Sequence, residues 1–283
     1  MTARFEPIHD AQRDDLVQFM FAHAPIMMFP LTNLKLYGLG GEHPRSISAW
    51  VLRNGDVLTD VLTISREGMV FPCCPNAPWD AARQLLRQRA VKGLLGEGRQ
   101  VAQIRAATGL TAPAQMDATE PAYVLFLHDL VVPDAQGFDL RPYGDADRNL
   151  LEAWRMAYEI ETLNIPADQA KVTANHHVQA AIDRDSHRIL YRDGTPVAVT
   201  GFNAALPTMV QIGGVFTPPD LRGNGYAKVA LALHLLEAQR AGVEGAVLSA
   251  ANTSAAKVYE ALGFQRNGDF ALVIYDTPQV ACG

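Results

Sequence analysis

Cysteine is scarce in this sequence. There are three in 283 residues: Cys73 and Cys74 are adjacent and Cys282 lies in the tail. That spacing makes neither a disulfide framework nor a zinc site, and it points to reduced, structural thiols. No long apolar run is present. The stretch 19–31 is too short to span a bilayer and is broken by His23, Pro25 and Pro30. Glu6, Asp10, Asp14 and Asp15 interrupt the start of the chain, which does not read as a signal peptide. Basic residues are not in excess. Lys and Arg number 24 against 30 Asp and Glu, a net charge of −6, which suits a phosphate-backbone binder poorly. A Gly-Lys-Ser/Thr ending, a Gly-x-Ser-x-Gly elbow and a His-Glu-x-x-His helix are all missing, so Walker-type, hydrolase and zincin readings have no anchor. The expectation is a soluble cytoplasmic protein with neither membrane nor nucleic acid as partner.

What is present is enough apolar material for a core: 48% hydrophobic against 19% charged residues. An amphipathic helix is expected over 11–23. Short alternating runs follow at 47–52, 57–64 and 69–71, separated by Asn54-Gly55-Asp56 and Arg66-Glu67-Gly68, and these read as an antiparallel meander. Helical patterns at 79–89 and 98–108 flank a strand at 90–95, and 123–127 reads as another strand. The segment 131–137, with Pro133, Asp134 and Gly137, reads as a linker. The order then repeats. Helices are expected at 145–161, 167–183, 226–241 and 253–262. Strands are expected at 188–191, 196–204, 208–216, 246–249 and 270–275. This gives an α+β chain of two tandem units, each a mixed, mostly antiparallel sheet flanked by helices, with domains at 1–130 and 138–283; the alternative is a single mixed sheet with the same elements.

The chemistry concentrates after the third strand of the second half. Val215-Phe216-Thr217 leads through Pro218-Pro219 into Arg222-Gly223-Asn224-Gly225-Tyr226-Ala227 and then a helix. Glycine permits the positive φ that brings bare backbone close to a ligand. Amides clustered at a helix N-terminus favour an anion, and Arg222 adds a fixed charge. A dinucleotide fingerprint would need a third glycine where Lys228 stands. Pyrophosphate binding for a coenzyme A thioester is a further reading of the same turn. Gly213-Gly214, just upstream, suggests a bulge or a close backbone approach. Downstream, Asn252 and Tyr259 lie seven residues apart, about 10 Å along one helix face. Asn252 is equally well read as the N-cap of that helix.

Arg222-Gly223-Asn224-Gly225-Tyr226-Ala227 resembles the Arg/Gln-x-x-Gly-x-Gly/Ala signature of the GNAT acetyltransferase superfamily. Asn252, Ala255, Tyr259, Gly263 and Phe264 are similar to the family's later motif, Asn-x-x-Ala-x-x-x-Tyr followed by Gly-Phe. The resemblance covers roughly 138–276. It implies a splayed sheet with acetyl-CoA as co-substrate in the split, and a small-molecule or peptide amine as acceptor. It implies that backbone groups of Val215, Phe216 and Thr217 meet the pantetheine arm. It also implies that Tyr259 is the general acid that protonates the departing thiolate, where a plain reading gives a half-buried packing tyrosine.

No base follows from the resemblance. The central strand offers only Gln211, which is unable to serve. Glu159 and Glu161, at the end of the first helix of this half, are the candidates, with a water relay beside them. His176 and His177 point about 100° apart on a helix and do not share a metal readily. At the position of the phosphate loop the first half has Phe71-Pro72-Cys73-Cys74-Pro75-Asn76-Ala77-Pro78-Trp79, without the signature and with prolines that remove donors. It reads as a degenerate unit of the same kind. The expected function is acyl-CoA-dependent N-acyl transfer by direct attack in a ternary complex. The alternative is a non-catalytic coenzyme A-binding or protein-interaction module.

Overall fold

The structure is a computed structural model and describes residues 4–282. In chain order the first elements are β1 (Glu6–Pro7), α1 (Arg13–Ala22), α2 (Ala24–Tyr37), β2 (Ile47–Asn54), β3 (Val57–Ser65), β4 (Met69–Cys73), α3 (Trp79–Leu86), β5 (Val91–Glu97), α4 (Gly98–Thr108) and β6 (Ala114–Phe126). They continue with β7 (Phe138–Pro142), α5 (Arg148–Leu163), α6 (Ala167–Asp183), β8 (His187–Arg192), β9 (Thr195–Ala205), β10 (Met209–Phe216), α7 (Tyr226–Arg240), β11 (Gly245–Ser249), α8 (Thr253–Glu260) and β12 (Gln265–Gln279). The chain divides into two compact units. One runs to Pro121 and resumes at Gly268; the other is Ala122–Asn267. The sequence draws its boundary at 131–137, a segment that lies inside the second unit.

In the first unit the strands lie in the order β1-β2-β3-β4-β5-β12. Among its described residues only β4 and β5 pair in parallel, with Met69 opposite Gly93 and Val70 opposite Leu94. The hairpin between β2 and β3 turns at Gly55, whose φ of +60° is left-handed. Leu86 of α3 and Val101 and Ile104 of α4 bury against Val91, Leu94 and Val273. Helix α4 begins where the sequence puts it because Glu97 accepts from the amides of Arg99 and Gln100, and it ends at Gly109 in the left-handed region. Helix α2 has no counterpart in the sequence reading, because Pro25 and Pro30 look like breakers. Pro25 falls in the first turn, where its missing N–H is not needed. Pro30 is tolerated because Met27, Met28, Leu31 and Leu34 are buried around it.

In the second unit the order is β6-β11-β10-β9-β8-β7, antiparallel except for β10 beside β11. Strand side chains alternate between faces. Ile189 and Val199 pack with Leu151 of α5 and Val178 of α6, whereas Leu190 and Ala198 pack with Val229 and Ala230 of α7. Helices α5 and α6 therefore cover one face of this sheet and α7 the other. Strands β1 and β7 were not anticipated, and β6 is longer than the 123–127 read from the pattern.

Strand membership crosses the two halves of the sequence. Ala122–Phe126 of β6 pairs antiparallel with β11 in the second unit. Phe270–Ile274 of β12 pairs antiparallel with β5 in the first. Close approach of β12 requires Gly93, since a Cβ there would sit 2.2 Å from the carbonyl oxygen of Val273. The Tyr275 hydroxyl donates to the Leu110 carbonyl oxygen at 2.7 Å and ties the same strand down. Gly93→Ala is accordingly expected to destabilise the protein by about 1–3 kcal/mol, the range for forced overpacking. Denaturant unfolding with far-ultraviolet dichroism measures it, and an unchanged midpoint would show that β12 shifts freely.

Candidate functional site

Strands β10 and β11 stay in register over three pairs, from Met209–Gly245 to Gln211–Val247. Beyond that point β10 continues to Phe216 and β11 to Ser249 without further pairing to each other. On its other side β10 slips by one residue against β9 between Gly213 and Phe216, and Gly214 takes a φ of +65°. The two glycines singled out from the sequence form this bulge.

From Phe216 the chain passes a short 3-10 turn at Pro219–Leu221 and reaches Gly223 and Gly225, with φ of +81° and +75°. Gly225 caps the N-terminus of α7. Among the described residues, no backbone carbonyl accepts from the amides of Gly223 through Lys228. These free N–H groups, gathered at the positive end of a fifteen-residue helix, form an anion cradle. Arg222 is held beside it. Its Nε donates to the Thr217 carbonyl at 3.0 Å and its Nη2 to Glu161 Oε2 at 2.7 Å. That hydrogen bond from Arg222 keeps the Glu161 carboxyl below the usual carboxylate range.

The cradle opens into a cleft of about 520 Å³ inside the second unit. Val215, Phe216, Thr217, Arg222, Gly223, Gly225, Tyr226, Ala227, Asn252, Tyr259 and Glu161, all named from the sequence, line it. Asn224 does not; its side-chain amide turns back to the Leu221 carbonyl at 3.0 Å. Glu159 does not line it either. Asn252 caps α8, its Oδ1 accepting from the Ala255 amide at 2.9 Å. Tyr259 is buried at the end of the same helix, edge-on to Phe264 with ring centroids 6.0 Å apart. The sequence reading missed Lys228 and Lys257, which also line the cleft. Their place one turn into α7 and beside Tyr259 on α8 was the available signal.

Glu159 lies near the end of α5 and faces inward. Its side chain is fully buried. It accepts from Arg155 Nε at 2.7 Å, from His177 Nδ1 at 2.5 Å and from the Thr173 hydroxyl. Burial pushes its carboxyl up, but the hydrogen bonds from Thr173, His177 and Arg155 outweigh that, and the net shift is downward. Glu159 ties α5 to α6. Its i, i+4 spacing to Arg155 was legible, but its burial was not.

The corresponding loop of the first unit is closed on itself. The amides of Cys74, Asn76, Ala77 and Trp79 donate to Gln100 Oε1, Asp60 Oδ1, Cys74 O and Ala77 O at 2.7, 2.9, 3.0 and 2.8 Å. Pro75 and Pro78 have no amide to give. Burial pushes the Cys73 thiol up to about 12 and raises Cys74 as well, which makes both poor nucleophiles. Among the described residues no cluster of three His, Cys, Asp or Glu could hold a metal ion, and no helix is long and apolar enough to cross a membrane.

Removing Glu159 leaves the largely covered Arg155 without its partner. Glu159→Ala is expected to cost about 3–5 kcal/mol. A carboxyl lowered by folding stabilises fully above its unfolded pKa of about 4.3, and loses that contribution as pH falls through the lowered folded value. The variant should therefore show a shallower acid limb in a plot of unfolding free energy against pH. An acid limb as steep as that of the unaltered protein would place the titrating group elsewhere.

A family model for the acetyltransferase (GNAT) family matches residues 149–264, a segment that holds the cradle, the bulge and α8. No curated protein sequence matches the chain. Among solved structures, a tandem GNAT protein from the clavulanic acid biosynthesis pathway, without AcCoA, is 17% identical. It superposes with a TM-score of 0.57 over 96% of this chain and 97% of that one. A Drosophila protein superposes with a TM-score of 0.65 at 13% identity, covering 96% and 98%. A GCN5-related N-acetyltransferase from Sphaerobacter thermophilus gives 0.54 at 13% identity, covering 96% and 94%. At such identities the structural likeness speaks for the fold, and the matched segment speaks for the family. Residues 149–264 belong to the acetyltransferase (GNAT) family, on a chain with the fold of two tandem GNAT units.

Proposed function

We propose that the protein is an acyl-CoA-dependent N-acyltransferase, with acetyl-CoA as donor and a small-molecule or peptide amine as acceptor. The observation that carries this is the row of unoccupied amides from Gly223 to Lys228, in a cleft lined also by the end of β10 and by α8. Such a row fits a diphosphate, and Lys228 and Lys257 add positive charge along the same cleft. A Cβ on Gly223 or Gly225 would meet nothing within 4 Å, so the cradle is open as well as bare.

When bound, acetyl-CoA supplies the activated acyl carbon and a thiolate leaving group. The chain's own residues do the rest. Amides at the start of α7 hold the diphosphate. Backbone groups of Val215, Phe216 and Thr217 hold the arm and aim the thioester at the bulge. The amine nitrogen forms its bond to the acyl carbon as the carbon–sulfur bond breaks. The Tyr259 hydroxyl gives its proton to the sulfur, and the nitrogen releases one proton to water, from which the phenol is restored. Buried Glu159, held by three donors, serves α5 and α6 as a tie. Glu161 serves as the counterion that parks Arg222. The first unit, whose loop amides are occupied internally, binds no second donor.

Calorimetric titration with acetyl-CoA tests the binding; folded protein that takes up no ligand at millimolar concentration would overturn the proposal. Tyr259→Phe is expected to lower kcat by about 10²–10⁴-fold with the acetyl-CoA Kd nearly unchanged. Equal turnover would remove the acid role. Glu161→Gln should release Arg222 toward the phosphates and tighten the acetyl-CoA Kd by up to about fivefold at low salt, as expected for an exposed ion pair. The gain should shrink as salt rises. An unaltered Kd would mean that Arg222 gives the phosphates nothing.

A further inference from the structure

The transferase reading leaves the class of acceptor open, and any assignment of that class rests on it. On the face of the second unit covered by α5 and α6, a cavity of about 20 Å³ is bounded by Trp154, Arg155, Tyr158, His187, Gly214 and Phe216. It is open on one side, and its enclosed part has room for one water-sized group such as a single carboxylate oxygen. Phe216 also lines the cofactor cleft, so the two voids share a wall at the end of β10.

Arg155 is the cation of this cavity, with only 16% of its side chain exposed. Its Nε is engaged by Glu159 from behind at 2.7 Å. An ionised carboxylate only accepts, so His177 Nδ1, 2.5 Å from Glu159 Oε1, carries the proton. That same Nδ1 lies 3.2 Å from Arg155 Nη2, which is also a donor. Two donors face each other there, and Nη2 gains no acceptor from the contact. Nη1 stands 3.7 Å from the point where a Cβ on Gly214 would lie, while the guanidinium's contacts with Glu159 and His177 run from Nε and Nη2. His187 Nε2 is 2.9 Å from that point. Burial, and then the charge of Arg155, push the His187 imidazole down to about 3, so it is neutral and brings no competing charge. The Tyr158 ring lies under the guanidinium, 5.0 Å from its carbon. The outer edge of Arg155 is thus oriented from behind by a buried carboxylate and walled by aromatic rings.

We propose that this edge receives a carboxylate of the acceptor, and that the acceptors are amino acids, with the carboxylate one or two carbons from the reacting nitrogen. The short spacing follows from the position of Nη1 against Gly214, next to the residues assigned to the thioester. A guanidinium fork and a carboxylate make a charge-assisted, directional pair that the dry surroundings strengthen. Polyamines and lysine side chains would instead bring a second cation against Arg155.

The test uses amines matched in everything but the carboxylate. Thiol release from acetyl-CoA is followed with leucine and phenylalanine, and with 3-methylbutylamine and phenethylamine. The amino acids are expected to have kcat/KM about 10²-fold higher or more, as for a site left with an unpaired polar group by the lesser analogue. Arg155→Gln should collapse that ratio by about the same factor, with the loss in the KM for the amino acid, and Arg155→Lys should restore part of it. Amines that match the amino acids, an unaltered ratio in Arg155→Gln, or acetyl-CoA binding without turnover of either amino acid would each overturn the proposal. If calorimetry finds no acetyl-CoA binding at all, the transferase reading fails first and the carboxylate site with it. Binding without carboxylate preference sinks the carboxylate site alone.

Discussion

The site depends on two parallel strands that stop pairing. After Gln211 and Val247 strands β10 and β11 no longer pair with each other. Unpaired backbone groups away from water are costly unless something else bonds them. A strand edge of that kind suits an extended ligand, because the missing partner is itself a strand-like set of donors and acceptors. The bulge at Gly213 and Gly214 redirects the end of β10, and the turn beyond it delivers the chain to the N-terminus of α7. One departure from regular sheet geometry thus sets the position of the bulge, the cradle and the cleft together.

The two units use related architecture to different ends. Among the described residues each has a single parallel pair in an otherwise antiparallel sheet, β4 with β5 and β10 with β11. In the first unit Gly96 of β5 lies against Pro72 of β4, 3.3 Å from its ring to the position of a Cβ, and the loop after β4 has its amides occupied from within. In the second, the glycine turn leaves its amides without backbone partners. The difference comes from residue type: proline and internal acceptors close one loop, and positive-φ glycines open the other.

Two arginine–glutamate pairs flank the second unit's chemistry and differ through burial. Arg222 and Glu161 are about half exposed, so solvent screens their bond, which is cheap to break when an anion arrives. Glu159 is buried and Arg155 only slightly exposed, and loss of either partner leaves a charge poorly solvated. The same pair of residue types therefore makes a movable counterion in one place and a fixed frame in the other.

The sequence by itself determined the α+β class, most strands and helices, and the glycine cradle with Tyr259 and Asn252 nearby. Those signals are local: hydrophobic period, turn residues and cap residues act within a few positions of one another. Helix α2 escaped that reading because its prolines are local breakers, while the burial that sustains it involves distant partners. Only the tertiary structure decided that Ala122–Phe126 and Phe270–Ile274 each complete a sheet in the other half of the chain, since strand pairing depends on edges far apart in sequence. It also decided that Glu159 is buried and Arg155 faces a cavity. Exposure and the direction of a side chain are set by what packs over the helix, and a helical period names a face without naming what covers it.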